Sequence, residues 1–242
     1  MKKITYLFAI TLLINSFGFS QTRSSAIAID TDDGSPISVT NRSGNFLIPV
    51  THMRLMDVDK SVLKSNVELD KKKYLNYNYD LASVDDYDTK AYIRYNIFDD
   101  EIEFVKEESI YYLVKEVGRK IVFANTKSMY KVYDLKGDLN FFQVHVEGKN
   151  SLIAKQKIRY VDAKVAKSGY DRAKPADYKR MKDELYLANA NNQLTKIPNK
   201  KKEFYLIFGA QSDIMKSYMK ANKLNHKNIS DLKKIVQYYN TL

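Results

Sequence analysis

The stretch Met129-Tyr130-Lys131-Val132-Tyr133-Asp134-Leu135-Lys136-Gly137-Asp138-Leu139-Asn140-Phe141-Phe142-Gln143-Val144-His145-Val146-Glu147-Gly148-Lys149-Asn150-Ser151-Leu152 decides how this chain is read. Apolar and polar residues alternate through it, which is the period of a half-buried strand. Lys136-Gly137-Asp138 and Gly148-Lys149-Asn150 carry residues that tolerate turn conformations, so the stretch predicts two successive hairpins. The first register expected is Val132 opposite Phe142 and Tyr130 opposite Val144. The second is Val146 opposite Leu152 and Val144 opposite Ala154. Both turn Phe142, Val144 and Val146 inward, and agreement between neighbouring hairpins is stronger evidence than any single strand.

The same pattern continues upstream. Ile93, Tyr95 and Ile97 alternate, then Ile102 and Phe104 follow Asp99-Asp100. A two-residue turn there would pair Ile97 with Ile102 and Tyr95 with Phe104. Residues 110–114 and 119–123 add two further strands, giving an antiparallel meander of six or seven. Residues 166–182 are charged, contain Gly169 and Pro175, and read as a linker. A last hairpin is expected over 184–188 and 193–197 around Asn191-Asn192.

After Pro198 the period becomes helical. Three short helices are expected, capped by Asn199, Ser212 and Ser230. Ile214, Met215, Tyr218 and Met219 form one apolar stripe, and Leu232, Ile235, Val236 and Tyr239 another, both read as core. The fold class expected is α+β: an antiparallel β-meander, then a hairpin and a small C-terminal module of three helices. The expected divisions are 1–20, 21–45, 46–165, 166–182 and 183–242.

The first of these divisions is a secretory signal. Met1-Lys2-Lys3 is basic, residues 4–14 are almost wholly apolar, and Gly18-Phe19-Ser20 places small residues for cleavage after Ser20. The run is shorter than the roughly 20 residues a membrane span needs. No Cys follows it for lipid attachment. An exported protein, periplasmic or extracellular, is expected, with no transmembrane span in the mature chain. Residues 21–45 read as an extended or disordered lead-in. Within it, Asp30-Thr31-Asp32-Asp33-Gly34 lacks the spacing and closing Glu of a calcium loop.

The 242 residues carry 40 Lys and Arg against 29 Asp and Glu, a formal charge of +11. That favours anionic partners. Export and the scattering of the basic residues argue against nucleic acid. With no Cys, thiolate metal sites, a cysteine nucleophile and disulfides are all excluded.

Four segments carry a resemblance. The hairpin Tyr92-Ile93-Arg94-Tyr95-Asn96-Ile97-Phe98-Asp99-Asp100-Glu101-Ile102-Glu103-Phe104 resembles a recurring segment of exported proteins from Bacteroidota-type bacteria. So do Val146-Glu147-Gly148-Lys149-Asn150-Ser151-Leu152, Lys220-Ala221-Asn222-Lys223-Leu224 and Asp231-Leu232-Lys233-Lys234-Ile235-Val236-Gln237-Tyr238-Tyr239-Asn240. The resemblance spans residues 92–242. It implies export and an envelope role and transfers no catalytic residue.

Catalytic patterns are sparse. His52, His145 and His226 have no metal-ligand spacing, so neither metal nor cofactor is expected. No G-x-S-x-G elbow or phosphate-binding glycine loop is present. Ser-x-x-Lys recurs at Ser61, Ser128, Ser217 and Ser230, as chance gives in a Lys-rich chain, without partner motifs. Asp85, Asp86 and Asp88, or Asp99, Asp100 and Glu101, offer carboxylate pairs for glycan hydrolysis, but both groups fall in predicted turns.

The candidate binding surface follows from the expected register. With Phe142 inward, Phe141, Gln143 and His145 point out, joined by Lys131 and Tyr133 on one neighbour and Lys155, Lys157 and Arg159 on the other. Cations beside aromatics on a rigid sheet suit an anionic group. The function expected is a non-catalytic envelope protein binding a protein partner or an anionic envelope component. A lipid or small-molecule carrier, with a cavity beneath Tyr95, Phe104, Val132 and Phe142, and a glycan hydrolase are the alternatives.

Overall fold

A computed structural model describes residues 37–41, 44–48, 53–55, 67–85, 90–106, 109–166 and 171–242. The expected signal at 1–20 and the acidic segment 30–34 lie outside the described residues. Strands and short helices together make an α+β chain built mainly on antiparallel sheet.

Strands β1 (Ile37–Asn41) and β2 (Gly44–Ile48) form a two-stranded hairpin. A short helix α1 (Val67–Asp70) precedes β4 (Asp80–Val84), β5 (Lys90–Asn96), β6 (Glu101–Lys106) and β7 (Ser109–Leu113), which pair in sequence order. β3 (Met53–Leu55) adds beside β7. The chain then departs from a simple meander: β8 (Lys120–Phe123) pairs with β4, not β7. Asp85 enforces this return. Its carboxylate accepts the Lys120 amide at 2.8 Å and the Arg119 Nε at 3.1 Å, stapling the end of β4 to the start of β8. β9 (Met129–Leu135), β10 (Asp138–Val146), β11 (Ser151–Lys155), β14 (Glu184–Ala188) and β15 (Leu194–Lys196) complete an 11-stranded sheet. The last hairpin therefore extends the main sheet. The segment expected as a linker contains β13 (Asp177–Arg180), which pairs with β12 (Ile158–Val161).

The sheet curls. Tyr95 on β5 lies edge-on to Phe141 on β10 with ring centres 5.9 Å apart. These strands are four places apart in sheet order, which a flat sheet would hold about 19 Å from each other. Ile93, Tyr95, Ile102, Phe104, Ile121, Tyr130, Val132 and Phe141 fill the interior, all almost wholly buried.

Two expected registers are corrected throughout and a third in part. At β5–β6 the partners are Ile93 with Phe104 and Tyr95 with Ile102. The turn takes four residues, 97–100, rather than two. The slip is by two, so every inward residue stays inward. At β9–β10 Val132 faces Phe141 and Tyr130 faces Gln143. Lys136 and Gly137 take φ of 62° and 95°, which makes a two-residue turn instead of three. That slip is by one and exchanges the faces. Phe141 enters the first core, while Phe142 joins Tyr133, Ile153 and Tyr186 in a second. At β10–β11 Val146 does pair with Leu152. A bulge then sets Val144 against Ile153 rather than Ala154.

Helices α2 (Lys201–Leu206), α3 (Ser212–Ala221) and α4 (Ile229–Tyr239) cover Leu152 and Leu187. Their caps differ from those expected. Neither α2 nor α3 has a side-chain cap. Asn228, not Ser230, caps α4, accepting the Ser230 and Asp231 amides. Asn199 instead presents its carbonyl to His226 Nε2 at 2.9 Å. No helix among the described residues is long and apolar enough to cross a membrane.

Candidate functional site

The expected sheet-face group does not assemble into one surface. Phe141 and Tyr133 are buried on opposite faces of the sheet. Lys155 is also buried, 3.5 Å from Asp100, and bonds Asn140. Its burial holds the ammonium pKa below its ordinary value. Lys157 pairs with Glu184 at 2.9 Å, and Arg159 sits on β12 in a different sheet. Gln143 and His145 are half-buried, and Lys131 lies over the Tyr133 ring at 5.7 Å. Burial, then the Lys233 ammonium, holds His145 below the usual histidine range, which favours the neutral ring.

Two buried charge clusters tie the sheet together. Asp100 accepts the Tyr95 hydroxyl at 2.6 Å, Lys115 at 2.9 Å and the Phe141 amide at 3.3 Å. It thereby fastens the β5–β6 turn to β10. Arg94 donates to the buried Glu103 at 2.7 Å and lies against the rings of Tyr74 and Tyr79, at 4.1 and 4.7 Å. Every group faces another protein group, which suits stability rather than ligand capture. Of the acids considered for hydrolysis, Asp85 staples β4 to β8 and Asp99 accepts Asn96 at 2.8 Å, while Asp86 and Asp88 lie outside the described residues. The carrier's expected lining is filled by its own rings, with Tyr95 and Tyr130 centres 5.2 Å apart.

Among the described residues, several cations outside any ion pair gather on α2, on α3 and just after it. α2 follows Pro198, and Lys201 and Tyr205 fall four apart on one face. Gly209, at φ 53°, lets the chain turn through a short 3-10 segment into α3. On α3, Lys216, Met219 and Lys220 recur at helical spacing, and Lys223 follows in the turn after the helix. Phe204 and Met215 bury one side of this pair of helices in the core with Leu232 and Ile235. The other side opens as a groove of about 620 Å³. Tyr205 and Leu224 supply its apolar surface over the buried Met219, and Lys201, Lys202, Lys216, Lys220 and Lys223 its charge.

Compared with protein-family models, with curated proteins and with solved structures, the chain matches none. The groove is therefore interpreted from its own chemistry. Among the described residues, none of its five lysines lies in an ion pair. The neighbouring Glu203 is paired with Lys200 at 3.2 Å, outside the lining. Like charges four apart on a helix oppose it by a few tenths of a kcal/mol per pair. Lys216 and Lys220 carry that cost with no ion pair among the described residues, and such local conflicts concentrate at functional surfaces. Sequence reasoning assigned Met215 and Met219 to the core and treated the intervening lysines as scattered. The signal available was the 216–220–223 spacing flanking Met219.

Proposed function

We propose that this chain is an exported, non-catalytic binding protein of the bacterial envelope, and that it holds an anionic envelope component at the α2–α3 groove. The observation that carries this reading is the set of five lysines around one concavity with no carboxylate among its lining residues. Clefts lined by one sign of charge raise the local concentration of the opposite sign. The apparent signal at residues 1–20 and the resemblance over 92–242 supply the export and envelope parts of the proposal. Membership of that exported family is proposed with them.

The test is titration of the full chain with polyphosphate at rising salt. Saturable binding that weakens steeply as the Debye length shrinks from about 30 Å at 0.01 M to about 8 Å at 0.15 M supports the proposal. Absence of binding at low salt would count against it. The apolar lining of the groove favours a carrier variant of the same reading.

A further inference from the structure

The groove is not a uniformly charged surface. Met219 is almost wholly buried yet reaches its lining, and Tyr205 and Leu224 stand beside it half-buried. Lys216 and Lys220 flank Met219 on the same helix at −3 and +1. The lysines of α3 thus share one groove with the half-buried Tyr205 of α2 and with Leu224, which follows α3. A hydrated inorganic anion has no use for the apolar part. A neutral hydrocarbon has no use for the lysines, which would lose hydration as it bound.

One class of ligand uses both. From this geometry we infer that the groove binds a single-chain amphiphilic anion: an alkyl or acyl tail laid on Tyr205, Leu224 and the lysine stems, with its carboxylate or phosphate head held by Lys216 and Lys220. The inference rests on the anion-binding reading and adds the tail. The volume of about 620 Å³ lies within the range of small-molecule sites, roughly 300–1,000 Å³. It is a cleft rather than a broad plane, which suits one chain better than a bilayer surface. Lysine suits a head group that varies, because its ammonium is a mobile point charge on a flexible stem and imposes no planar fork. The stems of Lys216 and Lys220 add apolar cover to the tail while the ammonium groups stay at the rim.

The experiment is a chain-length series on the full protein. Octanoate, decanoate and dodecanoate are titrated calorimetrically, each below its micelle-forming concentration. Acetate, dodecanol and polyphosphate serve as comparisons. The affinity is expected to rise by up to fourfold for each methylene that becomes fully buried, the equivalent of about 0.8 kcal/mol. Dodecanoate should therefore bind at least tenfold more tightly than octanoate, and acetate and dodecanol should both bind weakly. Lys216→Glu with Lys220→Glu should reduce dodecanoate affinity by tenfold or more and leave the unfolding midpoint within a few degrees of the wild type. Polyphosphate binding with no dependence on alkyl length would overturn the amphiphile and leave the anion site standing. Binding of neither polyphosphate nor dodecanoate would overturn both. Equal affinity for dodecanol and dodecanoate would overturn the role of the lysines.

Discussion

Asn240 exchanges two hydrogen bonds with the backbone of Asn150, 90 residues away. Its Oδ1 accepts the Asn150 amide at 2.8 Å, and its Nδ2 donates to the Asn150 carbonyl at 2.8 Å. One side chain thus fastens the end of α4 to the tip of the β10–β11 hairpin. The latch holds α4 to the sheet, and α2 and α3, which form the groove, share with α4 a core around Leu152 and Met215.

Gly148 leaves room for that latch. A Cβ there would stand 2.5 Å from Asn240 Nδ2, so the amide must move. Gly148→Ala should lower the unfolding free energy by about 1–2 kcal/mol, through loss of the Asn240 bonds. Asn240→Ala should lower it by a similar amount. The two changes together should cost little more than either alone, because they remove the same contact. Urea unfolding of the four proteins checks this, and simple additivity would contradict the latch.

The cap of α4 gives a cleaner contrast. Asn228 accepts the Ser230 amide at 2.8 Å and the Asp231 amide at 3.2 Å. Asn228→Ala should cost about 1 kcal/mol, while Ser230→Ala should fall within about 0.5 kcal/mol of wild type. Thermal melts of both distinguish them. The reverse order would restore Ser230 as the cap.

Which parts of the fold were legible in the sequence follows from parity. Alternation identified the inward residues of β5 and β6, and it survived an error of two in register because two is the period of a strand. At β9–β10 an error of one moved Phe141 from the outer face into the core. Nothing in the pair Phe141-Phe142 says which ring points in, because both are buried, one in each core. The return of β8 to β4 depends on Asp85 reaching Arg119 and Lys120, a contact between residues over 30 apart in the chain. The groove was visible only as lysine spacing on α3. Its missing acids are a property of the folded neighbourhood, which one helix's sequence does not contain.

The Asp100 cluster separates two kinds of buried charge. Asp100→Asn would leave the buried Lys155 without its carboxylate and Lys115 with only Glu101, at 3.9 Å, and should cost about 3–5 kcal/mol. Lys155→Met keeps an apolar stem beside Phe142 and leaves Asp100 with Lys115 and Tyr95. It should fall within about 1 kcal/mol of wild type. Denaturant midpoints decide it. Equal, large losses in both would mean that Lys155 is needed for the fold as a charge.

Glu184 supplies a pH signature. A hydrogen bond from Lys157, with another from Lys196, holds its carboxyl at about 2, against an ordinary value of 4.5. Because the folded value is depressed, its contribution is complete above about pH 4.5 and disappears as pH falls towards 2. Both lysines are substantially exposed, so the contribution is under about 1 kcal/mol. Glu184→Gln should be slightly less stable at pH 7 and converge on wild type near pH 2. Melting curves that stay parallel across that range would show that the pairs contribute nothing.

The most direct test of the groove is a comparison of two variants of equal charge. Lys216→Glu with Lys220→Glu alters the groove. Lys131→Glu with Arg159→Glu alters the sheet residues and changes the net charge by the same amount. Polyphosphate affinity is measured for both at one low salt concentration, so any difference reports position rather than total charge. The account predicts a loss of tenfold or more in the groove variant and less than threefold in the other. Equal losses would mean that the basic protein attracts anions without a site, and a larger loss in the sheet variant would place the site on the sheet.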